Sequence, residues 1–324
     1  MNFNINEKSG HAEGFCMIKS AEKKTTAKGI VYLDLILSDA SGEIPGKIWD
    51  YTESAFGEYV CGDIVKIRGL ISQYNGADQI KLDRIRKSVQ ADNVNVEDFV
   101  PSSEYSGERM FNELRSTADE FKDKDISSIV IYLLDKYKDK LLYWPAAFKL
   151  HHAMRGGLLY HTLSIVKLAQ NLCSIYPFVD KDLLVAGAIL HDIAKTDEFE
   201  VTSFGVASGY TNEGNLIGHL AKGAILIEAA AKEINTPDNI KILLQHMVLS
   251  HHGEPEFGAA VRPQFIEAEL LSELDMMDAR IYEMAEAVYA TDEGTFSNRV
   301  WALDNRKLFN HGRMTGEQTV NLFD

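Results

Sequence analysis

The first ninety residues alternate apolar and polar positions, the pattern of half-buried β-strands. In VYLDLILSD (31–39), Val31, Leu33, Leu35 and Leu37 alternate with Tyr32, Asp34, Ile36 and Ser38. The other predicted strands are residues 14–25, 43–50, 63–74 and 79–89. A short helix is predicted at 52–57, between the third and fourth strands. Five strands in this order predict a small all-β barrel of the OB-fold class.

The pattern changes after residue 90. Residues 91–107 lose regular periodicity and gather proline, serine, asparagine and acidic residues, which is typical of a linker. From 108 to 324 the apolar residues are spaced by three and four, which predicts helices. The chain is therefore predicted to be multidomain: an OB-fold barrel at 1–90, a linker at 91–107, and an all-α helical bundle at 108–324.

The composition is that of a soluble globular protein, with 45% hydrophobic and 25% charged residues. No apolar run approaches the roughly 18 residues that cross a bilayer, and the N-terminus lacks the features of a secretion signal. The three cysteines, Cys16, Cys61 and Cys173, are far apart and odd in number, which favours a reducing compartment. We expect a cytoplasmic protein with no membrane partner.

The net charge of −15 argues at first against a polyanionic partner, because phosphate binding relies on lysine and arginine. However, residues 1–90 contain 12 basic and 12 acidic residues, so the remaining residues carry the whole excess of acid. If nucleic acid binds, the predicted barrel should make the first contact. A bound metal would supply positive potential that this count omits.

The predicted barrel contains side chains suited to single-stranded nucleic acid. The candidates for phosphate contacts are the loop KKTTAKG and, in the last strand, Lys81, Arg84, Arg86 and Lys87. The aromatic candidates for base stacking are Tyr32, Trp49 and Tyr74. A strand aromatic is more often part of a protein core, so this alternative stays open for each of the three.

Ten histidines are present, and eight of them lie between 151 and 252. Histidine and aspartate recur at helix-like intervals, and the series comprises His161, His191, Asp192, His219, His251, His252 and Asp275. Helices of a bundle can each direct one ligand into a shared cavity. Buried carboxylates and imidazoles without a cation would be costly, so the series predicts a metal centre. Asp278, three residues after Asp275, is a competing carboxylate.

A mixture of imidazoles and carboxylates suits borderline ions better than magnesium, which prefers oxygen ligands. We expect two divalent ions, with manganese first and cobalt, iron or zinc as alternatives. Two ions about 3.5–4 Å apart can share a water and direct it at phosphorus. Asp192 is the natural bridge between them, because one carboxylate can bind two metals.

The chain resembles the HD-domain metal-dependent phosphohydrolases over about residues 150–290. The segments GGLLYHT (156–162) and LHDIAK (190–195) carry this resemblance. With the barrel, and with PAAFKLHHAMRGGLLYHTLSIV, LHDIAKTDEF, YTNEGNLIGH and LSHHGEPEFGA, nearly the whole chain is similar to the YhaM-type 3′–5′ exoribonucleases.

The resemblance implies the metal ligands His161, His191, Asp192, His219, His251 and Asp275, with the choice between His251 and His252 left open. It favours Asp275 over Asp278, because LDMMDA (274–279) resembles the closing helix of the family. Lys195 matches a family lysine that approaches substrate phosphate, and the alternative, a solvated lysine at a helix end, is nearly as ordinary an interpretation. Arg155 and His152 are further candidates for balancing charge on phosphate oxygens.

The predicted function is metal-dependent removal of nucleoside 5′-monophosphates from the 3′ end of single-stranded RNA. The sequence does not distinguish RNA from DNA. The alternatives are hydrolysis of a small nucleotide, a di-iron oxygenase on the same scaffold, and a single-strand-binding adaptor with a structural metal. The C-terminal tail (305–324) is a candidate contact for a second copy of the chain, so a homo-oligomer is also left open.

Overall fold

The structure is a computed structural model, and it describes residues 3–6, 10–39, 42–74, 77–94, 98–100, 102–148, 152–202, 204–314 and 320–323. Among these residues, no helix is both long enough and apolar enough to cross a membrane. The side chain of Tyr74, one of the aromatic candidates, lies outside the described part of the chain.

The N-terminal strands form a closed barrel. They are β1 (Phe3–Asn6), β2 (His11–Thr25), β3 (Val31–Asp39), β4 (Gly42–Trp49), β5 (Ile64–Tyr74) and β6 (Ala77–Lys87), with helix α1 (Glu53–Phe56) between β4 and β5. Strand β2 pairs antiparallel with both β3 and β5, and β4 pairs parallel with β6, so the sheet closes. The predicted five-stranded barrel with its short helix is confirmed. The extra strand β1, paired with the start of β2, was not predicted.

The alternation of residue types places the barrel core. Leu33, Leu35 and Leu37 of β3 are buried, while Tyr32 and Asp34, which alternate with them, are only partly buried. Burial of each leucine contributes about 1.5–3 kcal/mol. At the β-bulge beside Arg68, a Cβ on Gly69 would lie 2.4 Å from the carbonyl oxygen of Lys81. Only glycine lets β5 and β6 approach this closely.

The rest of the chain is mainly helical. The helices are α2 (Gly107–Asp119), α3 (Lys124–Leu141), α4 (Gly157–Ile175), α5 (Lys181–Leu190), α6 (Lys195–Glu198), α7 (Asn212–Leu216), α8 (Gly218–Ile234), α9 (Asp238–Ser250) and α10 (Ile266–Tyr289). Residues 183–190 of α5 are all buried, so this helix is central to the bundle. Strands β7 (Phe199–Val201) and β8 (Ala207–Tyr210) form a two-stranded sheet. The prediction of a purely α second region is corrected on this point.

The chain divides into two compact units: Met1–Ser102 with Val201–Ser208, and Ser103–Glu200 with Gly209–Asp324. Within the first unit, Phe99 and Val100 are buried with Met17 and Ile64. Part of the predicted linker is therefore packed against the barrel. Phe204 and Val206 pack against the same cluster, and the sequence pattern did not predict that this distant segment joins the first unit.

The C-terminal residues after α10 fold onto the second unit. Leu303 and Leu308 are buried against Val288 of α10. At the very end, the hydroxyl of Tyr105 donates a hydrogen bond to the carbonyl oxygen of Val320 at 3.1 Å, and the Tyr105 ring packs edge-on against Phe323. The described end of the predicted tail therefore packs on its own chain.

Candidate metal centre

Five helices bring the predicted histidines and aspartates together. His161 lies in α4, His191 and Asp192 directly follow α5, and His219 is the second residue of α8. His251 and His252 directly follow α9, and Asp275 lies in α10. Apart from His252 and Asp275, which are partly exposed, these residues are buried.

The carboxylate of Asp192 lies between two groups of imidazoles. Its Oδ2 is 3.3 Å from Nε2 of His191 and 3.8 Å from Nε2 of His161. Its Oδ1 faces the other way, 3.5 Å from Nε2 of His219 and 3.7 Å from Nε2 of His251. Each oxygen thus faces its own set of nitrogens, which is the arrangement that a carboxylate bridging two cations requires.

Two further side chains complete the two groups. Oδ1 of Asp275 is 3.0 Å from Nε2 of His161 and 4.0 Å from Nε2 of His191, so Asp275 belongs to the first group. His252 offers a nitrogen within 4.8 Å of ligand atoms on His219 and His251, which places it in the second group. Both histidines of the 251/252 pair therefore have a nitrogen close enough to His219 to share one cation position with it.

The Nδ1 atoms of these histidines are held by acceptors outside the cluster. The Nδ1 atoms of His191 and His251 donate hydrogen bonds to the carbonyl oxygens of Ala188 and Val248, each at 2.8 Å. Nδ1 of His252 donates to the carbonyl oxygen of Phe257 at 3.0 Å. A carbonyl oxygen only accepts, so Nδ1 carries the proton and Nε2 can offer its lone pair to a metal.

Two carboxylates hold the remaining rings. Nδ1 of His219 donates to Oε1 of Glu198 at 3.0 Å, and Nδ1 of His161 donates to Oδ2 of Asp278 at 2.8 Å. Neither carboxylate was predicted in this role. Glu198 lies in an acidic stretch with Asp197 and Glu200, and nothing in the sequence sets it apart from them.

The residues fit divalent cations. Among the described residues, Oδ1 of Asp192 and the Nε2 atoms of His219 and His251 are buried and have no hydrogen-bond partner. An unpaired buried polar atom costs about 1–3 kcal/mol, and a cation bound among these three acceptors would remove the cost. The mixed nitrogen and oxygen donors match the borderline ions expected from the sequence.

The ionisation of the cluster is set by opposing effects. Burial alone would raise the pKa of Asp192, but the ammonium of Lys195, with His191 and His219, holds it well below its ordinary value. Burial depresses the pKa of His251, and the neighbouring His191 and His252 depress it further, so this ring is neutral. A neutral imidazole is the form that binds a metal.

His161 behaves differently from His251. Burial would lower its pKa, but hydrogen bonds with Asp275 and Asp278 outweigh this and raise the pKa to about 10. A metal at Nε2 must therefore displace a proton, while the hydrogen bond from Nδ1 to Asp278 can remain.

Lys195 and His152 lie in different settings. Nζ of Lys195 is 2.6 Å from Oδ2 of Asp192 and the side chain is mostly buried, so Lys195 is part of the centre and is not a solvated lysine.

His152 was predicted to contact substrate, but it is only 1% exposed. Its Nε2 lies 3.0 Å from Oδ2 of Asp278. His152 therefore contacts the carboxylate that orients His161, and a contact of His152 with substrate stays a prediction.

Among the described residues, no contact joins Arg155 to the cluster. Its guanidinium lies over the ring of Tyr143, 5.3 Å from the ring centroid, and its Nη1 is buried without a hydrogen-bond partner. The structure provides no support for the predicted contact with substrate phosphate.

The barrel presents two of the predicted aromatics on its outer surface. Tyr32 and Trp49 are cross-strand partners with ring centroids 4.9 Å apart, and neither lies in the barrel core. Nζ of Lys47 lies 5.5 and 5.7 Å from the two ring centroids. Lys47 in turn pairs across the sheet with Lys81, which is exposed. Arg84 is also exposed, further along β6.

Comparison with known proteins found a matching family model and solved structures with partial similarity. The family model described as HD domain matches residues 158–280. Among solved structures, the second OB-fold domain of replication protein A from Methanococcus maripaludis covers 24% of this chain and 82% of its own, with 25% identity and a TM-score of 0.20.

Several relatives match nearly the whole chain, and two of them illustrate the similarity. The 3′-5′ exoribonuclease YhaM of Listeria welshimeri is 39% identical, and the alignment covers 92% of this chain and 94% of that protein. The 3′-5′ exoribonuclease YhaM of Bacillus subtilis is 35% identical, with 94% and 96% covered. With this similarity along almost its entire length, the chain belongs to the YhaM family of 3′-5′ exoribonucleases.

Proposed function

We propose that this protein is a metal-dependent 3′–5′ exoribonuclease that releases nucleoside 5′-monophosphates from single-stranded RNA. The observation that carries the proposal is the placement of Asp192, whose two oxygens face two separate sets of imidazole nitrogens. Its relatives are named 3′-5′ exoribonucleases, which supplies the direction of degradation and the substrate class, RNA.

The chain's own residues would hold two divalent cations. The first position is formed by His161, His191 and Asp275, the second by His219, His251 and His252, and Asp192 is shared. Cations bound there would supply Lewis acidity, which polarises phosphate oxygens and makes water a better nucleophile near neutral pH.

Lys195 is proposed to bind phosphate. Burial would lower the pKa of its ammonium, but Asp192 outweighs this and raises it, so the side chain stays charged. Its position in the wall of the cleft beside the cluster lets this charge stabilise negative charge that develops on a phosphodiester. The hydrogen bonds at Nδ1 keep the imidazole rings fixed, so little reorganisation is needed.

The barrel is proposed to hold the strand. Tyr32 and Trp49 offer an outward aromatic surface, and Lys47 and Lys81 add positive charge beside it. Stacking on such a surface tolerates every base, because every base has a π-face. This fits the expectation that the barrel, rather than the acidic remainder, makes the first contact with nucleic acid.

Lys81→Ala is expected to weaken binding of single-stranded RNA by a similar factor for all sequences. Loss of one phosphate contact should reduce the slope of log affinity against log salt concentration by about 0.7. Fluorescence anisotropy over a range of salt concentrations measures this. The control is Lys66→Ala, since Lys66 lies on β5, a strand that pairs with neither β3 nor β4. An unchanged slope in Lys81→Ala, or an equal change in both variants, contradicts the assignment.

The proposed activity is tested with the metal-loaded protein and three substrates: 5′-labelled single-stranded RNA, the matching DNA, and free nucleotides. Stepwise shortening of the RNA from its 3′ end, with release of nucleoside 5′-monophosphates, is the expected result. Hydrolysis of free nucleotides alone would favour a small-nucleotide phosphohydrolase. Binding of the strand without cleavage would favour an adaptor. The DNA measures whether the sugar is discriminated.

A further inference from the structure

A cleft of about 620 Å³ adjoins the metal centre. Its wall includes Lys195, His251, His252 and Asp275 from the centre itself. The rest of the lining includes Phe257, Arg280 and Trp301, together with the acidic Glu283. A cavity of this size is large enough for a small organic ligand such as a nucleotide.

Trp301 lies at this cleft although it is 73% exposed. An exposed tryptophan forgoes burial of a large apolar side chain, so its position calls for an explanation. Phe257, in the same cleft, is also largely exposed. Its carbonyl oxygen accepts the hydrogen bond from His252, which ties this aromatic residue to the metal centre.

The backbone beneath Trp301 is firmly held. Trp301 begins a short 3-10 helix, Trp301–Leu303, and Leu303 is buried against Val288 of α10. Val300, the residue before it, forms a β-bridge with Arg306. The segment therefore fixes the backbone on both sides of Trp301 while its ring remains free to contact a ligand.

Arg280 adds a positive charge to the same cleft. It lies on α10 five residues beyond Asp275, it is exposed, and no ion pair is found for it among the described residues. A guanidinium binds phosphate through two parallel hydrogen bonds. An exposed aromatic ring and a cation beside a metal centre together match the base and the phosphate of one nucleotide.

We propose that this cleft binds the 3′-terminal nucleotide of the strand, with Trp301 stacking on its base and Arg280 contacting a phosphate. This inference rests on the proposed function, since it places the end of the strand beside Asp192. Stacking contributes about 1–3 kcal/mol per base and is available to every base. The subsite therefore selects for a nucleotide with a base and tolerates any base identity.

The test pairs two substrates with three variants. The substrates are an RNA with an intact 3′-terminal nucleotide and the same RNA with an abasic terminal residue. Trp301→Ala is expected to lower kcat/KM on the intact RNA by about 5- to 150-fold, mostly through KM, and to change the abasic substrate little. Trp301→Phe should keep most of the activity. Phe178→Ala is the matched control, because Phe178 is 72% exposed and lies outside the cleft lining.

Equal losses of kcat/KM on the two RNAs, or no loss on either, would overturn the assignment of Trp301. A second measurement does not depend on turnover. Adenosine 5′-monophosphate is expected to quench the tryptophan fluorescence of the wild type but not of Trp301→Ala, and ribose 5-phosphate should have no such effect. If this difference is found but RNA is not shortened, the proposed function fails and the nucleotide subsite stands. If RNA is shortened without the difference, only the subsite fails.

Discussion

Replacement of Asp192 by asparagine is expected to lower the rate of RNA shortening by about 10³-fold or more, at any metal concentration. The reason is that Oδ1 and Oδ2 face different groups of histidines, so one substitution weakens both metal positions. Metal ions supply several kcal/mol of charge stabilisation in phosphoryl chemistry, and about 4 kcal/mol corresponds to a factor near 10³. An amide of the same shape removes the charge that both positions share.

Binding of the strand should survive this substitution, because the aromatic and basic surface assigned to it lies on the barrel. The experiment measures shortening of labelled RNA and, separately, RNA affinity by anisotropy. Thermal unfolding must accompany both, because loss of Asp192 leaves the mostly buried ammonium of Lys195 without its 2.6 Å partner.

Asp197→Asn is the matched control for Asp192→Asn. Asp197 lies five residues further along and pairs with Lys140 at 2.8 Å, outside the cluster. The Asp197→Asn substitution makes the same chemical change without altering a residue of the centre. Turnover that persists in Asp192→Asn, or falls equally in Asp197→Asn, would show that the centre is assigned to the wrong residues.

The barrel could be predicted because its evidence is local. Alternation along β3 separates Leu33 and Leu35 from Tyr32, and this pattern needs no knowledge of the rest of the chain. Strand β1 has four residues, too few for a periodic pattern, and it was missed. The packing of Phe204 against the cluster that contains Met17 depends on chain geometry over long sequence distance, which periodicity does not encode.

For the metal centre, too, the sequence shows some of the residues and hides others. Histidine is rare enough for the series from His161 to His252 to stand out, and Asp192 stands directly beside His191. Asp278 was noticed only as an alternative to Asp275, and Glu198 was not singled out, because 48 acidic residues are present and their sequence does not show which of them supports a histidine. Glu198 is distinguished only by its 3.0 Å contact with His219. The burial of His152 could not be predicted either, since its neighbours in sequence do not reveal it.

These supporting carboxylates give the second large effect. Asp278→Asn and Glu198→Gln are each expected to weaken metal affinity by about 10- to 100-fold, which is typical when a group that orients a metal-binding histidine is lost. Asp278 holds His161 of the first position, and Glu198 holds His219 of the second. Each substitution keeps the shape of the side chain but removes the charge that orients the ring and raises its basicity.

Both variants should recover most of their turnover when metal is added in excess, because the ligands themselves remain. This recovery separates them from Asp192→Asn, in which a shared ligand is lost. Metal titration, followed by RNA shortening and independently by calorimetry, measures the change in affinity. Glu213→Gln is the control for Glu198→Gln, since Glu213 pairs with Lys222 and contacts no histidine of the cluster. Activity that stays low in excess metal would assign Asp278 or Glu198 to the chemistry itself, whereas unchanged metal affinity would remove their role as positioning residues.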